Sequence, residues 1–167
     1  MHNDDFHELP PWNDDDKFND EQEEGESWKP RPTTEACKAM YAQWNEVMTV
    51  LRAAVESMPD TDAEGLYDKE QMDYLKGSIL GDAYEVAVKI KSSEVGLYTI
   101  RMENAAIIRK NAQYIKISTN GFLEDGMMSE EYRRVIREEI DKFRELFKHW
   151  VSTFEKDEFE DEWGLFI

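Results

Sequence analysis

Apolar residues recur at three- and four-residue intervals in four blocks of the chain, and each block predicts an amphipathic helix. In the first, Cys37, Met40, Trp44, Val47, Leu51, Ala54 and Met58 share a stripe. They predict a helix over 33–58, capped by Thr33 or Thr34 behind Pro32 and stopped before Pro59. In the second, Met72, Leu75, Ile79, Ala83, Val86 and Ile90 predict a helix over 65–91. Ser92, Ser93 and Gly96 then suit a tight turn, an unbroken helix being the alternative. Leu97, Tyr98, Arg101, Ala105, Ile108, Ala112 and Ile115 predict a third helix over 94–118, ended by Asn120–Gly121. In the fourth, Ser129 caps a helix over 129–156 whose stripe runs through Tyr132, Ile136, Ile140, Phe143, Phe147, Trp150 and Phe154.

Four helices of matched span joined by short loops are most economically an up-and-down bundle. The expected fold is therefore all-α: a four-helix bundle over 33–156 flanked by an acidic N-terminal tail, 1–32, and an acidic C-terminal tail, 157–167. The tails carry most of the net charge of −18, with −8 in residues 1–32 and −5 in residues 155–167. Such composition disfavours autonomous folding, yet aromatic residues are interleaved with the acids. Trp12, Trp28, Trp163 and Phe166 are thus expected to dock, on the bundle or on a partner.

Two of the helices carry a second apolar face. On the second it consists of Gly77, Gly81, Tyr84 and Val88, and on the third of Ile100, Ile107 and Tyr114. Glycine inside a helix costs about 1 kcal/mol relative to alanine, so a pair four apart suggests close approach by another backbone. A helix apolar on two sides is buried on two sides. Gly77, Gly81, Tyr84, Ile100, Ile107 and Tyr114 are accordingly the candidate interface of a homo-oligomer.

Candidate chemistry is thin. Arg101 lies on the inward stripe of the third helix and requires a partner, with Asp82, Glu94 or a ligand anion as candidates. The single cysteine, Cys37, excludes an internal disulfide and sits where a buried, inert thiol is expected. No Glu-x-x-His pair is present to hold a metal, and zinc ligation by cysteines is excluded; no metal and no cofactor are expected. The acidic balance disfavours nucleic acid as a partner. With no signal-like N-terminus and no span of about 20 apolar residues, no membrane is expected either, and the cytoplasm is the default location.

Two resemblances bear on function. The segments Leu97-Tyr-Thr-Ile-Arg-Met-Glu-Asn-Ala105 and Glu162-Trp-Gly-Leu-Phe166 resemble parts of uncharacterised bacterial helical-bundle proteins with no assigned activity. That likeness covers about a quarter of the chain, implies a bundle and assigns no functional residue. Arg144-Glu-Leu-Phe-Lys-His149 resembles the arginine–four residues–histidine motif of the HEPN ribonucleases, in which the pair cleaves RNA. Glu145 departs from the small polar residue usual there, and on a straight helix Arg144 and His149 point about 140° apart. The residues favour a non-enzymatic protein–protein interaction bundle that self-associates, with the acidic tails available to a protein partner. Its rivals are a ribonuclease using Arg144 and His149, and an acidic mimic of nucleic acid.

Overall fold

A computed structural model of the protein describes residues 9–12, 31–61, 65 and 67–166. Among them four helices run in chain order: α1 Pro32–Glu56, α2 Lys69–Lys91, α3 Tyr98–Glu124 and α4 Glu130–Ser152. Each packs on two neighbours, α1 on α2 and α4, and α3 on α2 and α4, so the chain is an all-α up-and-down four-helix bundle. The first and last helices share the broadest seam. Where the apolar stripes converge, Trp44, Trp150, Phe143, Leu51, Ile108 and Ile136 are fully enclosed.

A polar stitch crosses every seam, because buried polar groups must find partners. Between α1 and α2, the Trp44 indole donates to the Ala83 carbonyl at 2.8 Å and the Cys37 thiol to the Ile90 carbonyl at 3.1 Å. Between α1 and α4, the Gln43 amide donates to the Glu139 carboxylate at 2.7 Å. Asn104 donates to the Ser93 hydroxyl at 2.9 Å and Asn111 to Glu85 at 2.7 Å, joining α3 to α2. Across α3 and α4, Lys116 pairs with Asp141, and Arg137 donates to the Lys116 carbonyl at 2.8 Å.

Helix ends depart from the periodicity wherever capping chemistry overrides it. No side chain caps α1; Arg31 holds the N-cap position with Pro32 behind it, and Thr33 instead donates to the Thr153 carbonyl at 3.1 Å. The start of α2 lies at Lys69 rather than 65. Asp68 accepts from the Gln71 N–H and Gln71 from the Asp68 N–H, a reciprocal box that fixes the first turn. Gly96, at φ +131°, delays α3 to Tyr98. That helix then continues through Asn120–Gly121 to Glu124, because Phe122 is buried and rewards another turn. Its end comes at Gly126, φ +71°, after which the Met127 and Met128 N–H groups return to the Phe122 carbonyl. At its far end α4 stops at Ser152, short of 156, with Thr153 as C-cap.

The opening turn of α3 has no cap in its own segment. Its Tyr98 N–H donates to the Asp157 carboxylate at 2.8 Å, so the acidic stretch after α4 supplies the negative charge that a helix N-terminus favours.

Candidate functional site

Water-facing apolar side chains are distributed very unevenly. Among the described residues, every large exposed hydrophobic side chain lies on α2, on the loop to α3, on α3 or in the segment after α4, and none lies on α1 or α4. Tyr74 is 74% exposed, Ile117 56% and Tyr114 54%. The outward surface of α1 mixes alanines with Glu35, Glu46, Thr49 and Glu56, and that of α4 is laced with i,i+3 and i,i+4 ion pairs such as Arg133–Glu130 and Arg134–Glu138. This is the arrangement expected of helices that meet only water on that side.

Of the six residues expected to form an interface, the two tyrosines border different grooves. Tyr84 borders a groove of about 510 Å³ between α1 and α2, with Val88, Ala87 and Lys91 on α2 and Tyr41 on α1. Tyr114 borders a second, of about 180 Å³, between α2 and α3, facing Leu75 and Ser78. Ile100 is exposed and Ile107 is half-buried on the same helix as Tyr114, at seven-residue spacing. Gly77 and Gly81 are exposed on α2, and a Cβ at either would meet nothing within 4 Å. The expected close backbone approach therefore does not come from the described residues, among which no contact needs either glycine. Tyr74 and Ile117 extend this surface and went unread in the sequence. Their signal is their spacing, three before Gly77 and three after Tyr114.

Of the residues expected to dock, Trp12 does so. Its ring meets Tyr41 edge-on at 5.6 Å, and the Lys91 ammonium sits 4.3 Å from its centroid. The Tyr41 hydroxyl donates to the Pro10 carbonyl, and Leu9 is buried, so residues 9–12 form a strap along the rim of the larger groove. The Lys91 ammonium is enclosed there without a hydrogen-bond acceptor among the described residues, beside the rings of Trp12 and Tyr41. Removing the hydroxyl in Tyr41→Phe is expected to free the strap. The Trp12 indole resonance in a ¹H–¹⁵N spectrum should then move to its solvent-exposed position while that of Trp44 stays in place. Trp163 is 88% exposed and Phe166 half-buried; Trp28 lies outside the described residues. The Asp161 carboxylate accepts the N–H groups of Trp163 and Leu165, folding the segment into a turn that holds both side chains outward.

Arg101 is half-buried, and neither Asp82 nor the Glu94 carboxylate is its partner. Its guanidinium donates to the Ser93 carbonyl at 3.2 Å and the Glu94 carbonyl at 3.0 Å. Carbonyls just beyond the end of α2 offer free lone pairs and the negative end of its dipole, which suits a cation without a carboxylate. Burial lowers the pKa of the guanidinium, while Cys37 and Asp157 act in the opposite direction. Arg101 is thus a tie between helices.

Arg144 and His149 are both exposed on one continuous helix, α4. Arg144 is engaged by Asp141 at 3.2 Å and Glu145 at 3.7 Å and borders a small α3/α4 cleft that does not include His149. Cys37 is completely buried, and burial pushes its thiol up to about 12. The Glu139 carboxyl is held below its usual range, chiefly by the Lys142 hydrogen bond and then by Gln43. Among the described residues no three His, Cys, Asp or Glu side chains are grouped to hold a metal, and no helix is long and apolar enough to cross a membrane. No family model, curated protein or solved structure matches the chain.

Proposed function

We propose that this protein is a non-enzymatic interaction module that associates with a second copy of itself through the outer face of α2 and α3. One observation carries the reading: the large apolar side chains left in water on the helices are confined to the two that pack side by side as α2 and α3. Leaving an isoleucine or tyrosine side chain in water forgoes about 1.5–3 kcal/mol relative to burying it, and several such residues on two adjacent helices favour a contact surface there. The open surface over Gly77 and Gly81 supports the same reading, since the helix stability they cost is offset when another backbone lies across them.

Sedimentation velocity on the intact chain tests it. The protein is expected to sediment as a dimer at micromolar concentration, and Ile117→Asp is expected to weaken association at least about a hundredfold. Each substitution counts twice in a two-fold interface, which doubles its effect on the free energy. Because Ile117 is exposed, helicity should be unchanged by circular dichroism. A wild-type monomer across that concentration range overturns the proposal, as does a dimer indifferent to both Ile117→Asp and Ile107→Asp.

A further inference from the structure

The outward stripe of α3 is symmetric about its own midpoint in a way that specifies how two copies meet. Ile107 lies at the centre, half-buried. Ile100 and Tyr114, both exposed, stand seven positions before and after it. Apolar positions therefore mirror one another across Ile107.

Charge does the reverse. Glu103 stands four positions before Ile107 and Lys110 three after, both exposed and both within about 60° of Ile107 around the helix. Among the described residues neither has a hydrogen-bond or ion-pair partner. On α4, by contrast, Glu130, Glu138, Glu139 and Asp141 are all paired with a neighbouring base. A stripe even in hydrophobicity and odd in charge matches a copy of itself only when that copy is reversed.

We infer that two copies pair α3 against α3, antiparallel, about a two-fold axis passing beside Ile107. This rests on the self-association proposed above and names its geometry. In that arrangement Ile107 meets its own counterpart, and Ile100 lies over Tyr114 of the second copy. Glu103 falls one residue from level with Lys110 of the second copy, an axial offset of about 1.5 Å that either side chain spans. The pair forms twice by symmetry. A parallel pairing instead sets Glu103 against Glu103 and Lys110 against Lys110, two like-charge contacts where the reversed one has two attractions.

Two measurements on the full chain test the pairing. Charge reversal is the first. Glu103→Lys alone and Lys110→Glu alone each create like-charge contacts and are expected to weaken dimerisation at least about tenfold at low salt, whereas the double variant Glu103→Lys/Lys110→Glu restores it to within about twofold of wild type. Both residues are exposed, so neither change threatens the fold. Cross-linking by a short bis-maleimide is the second, with the enclosed Cys37 as a silent internal thiol. Ile107→Cys should yield a covalent dimer by itself. Ile100→Cys should yield one only when mixed with Tyr114→Cys. A dimer in which Ile100→Cys couples to itself, or in which the single charge reversals change nothing, overturns the antiparallel pairing and leaves self-association standing. A wild-type chain that sediments as a monomer overturns both.

Discussion

Trp44→Ala is expected to cost about 3–5 kcal/mol of folding free energy, the range for emptying a core site of aromatic size. Its ring is fully enclosed, packs at 4.7 Å and 60° on Phe143 of α4, and sends its indole N–H to the Ala83 carbonyl of α2 at 2.8 Å. One side chain therefore ties α1 to both of its neighbours, and truncation opens a cavity where three helices meet. Single domains hold only about 5–15 kcal/mol in total, so the variant should sit near the limit of folding. Urea denaturation followed by circular dichroism at 222 nm reads the loss directly. Phenylalanine separates packing from hydrogen bonding. The Trp150 indole N–H is equally buried but has no acceptor among the described residues. Trp150→Phe thus removes an unsatisfied donor along with some volume, whereas Trp44→Phe removes a donor that is satisfied. The expected order of stability is Trp150→Phe above Trp44→Phe above Trp44→Ala, and a reversal of the first two refutes the hydrogen-bond argument.

Cys37 gives the second large effect. In the folded chain burial raises its thiol to about 12 from a reference of 9.0, with Glu94 adding to the rise and Arg101 and Lys91 opposing it. Between those values the unfolded thiol has lost its proton and the folded one keeps it, so the folded state binds more protons. Stability must then fall as pH rises through that window, by at most about 1.4 kcal/mol per pH unit from this group, and the thiol's contribution is complete below pH 9. Comparison of urea midpoints at pH 8 and pH 10.5 for wild type and Cys37→Ala isolates it from tyrosines and lysines that titrate in the same range. The wild type should lose more. Reactivity follows the same physics. The thiolate is the nucleophile, and the sulfur is also closed to solvent while its proton is donated to the Ile90 carbonyl. A disulfide reagent at pH 8 should therefore modify native Cys37 at least about a thousandfold more slowly than the urea-unfolded chain. Rapid labelling of the native protein would show that the α1/α2 seam opens.

Both effects start from positions legible in the sequence. Cys37 and Trp44 share one stripe because a helix brings every third or fourth residue to the same side, and that period is readable without coordinates. The same logic places Ile108, Phe143 and Trp150 in the core, where they lie. Helix ends are less legible because single hydrogen bonds decide them. Asp68 and Gln71 carry a readable capping signature that starts α2 later than its apolar pattern alone implies. The start of α3 carries none, since its cap is Asp157, 59 positions away. Arg101 marks another limit: the sequence shows a cation in need of a partner, but backbone carbonyls have no residue letter and escape a search for acids. The interface residues are legible singly and not jointly. Periodicity reports the angle of Tyr84 or Tyr114 around its own helix, and only packing reveals that one leans toward α1 and the other toward α2.

The broad seam between the first and last helices governs the order in which the bundle can be completed. Thr33 is held by the carbonyl of Thr153, a link across 120 positions, and Gln43 reaches Glu139 across 96. On a ribosome α1 emerges first and waits for its principal neighbour until almost all of the described chain has been synthesised. The hairpin of α2 and α3 depends on shorter-range contacts such as Asn104 with Ser93 and is available earlier. Until α4 arrives, that hairpin has apolar residues uncovered on both sides, and premature capture of its outer side by a second nascent chain would compete with closure. Closure of the bundle therefore waits on α4, the last of the four helices to be made.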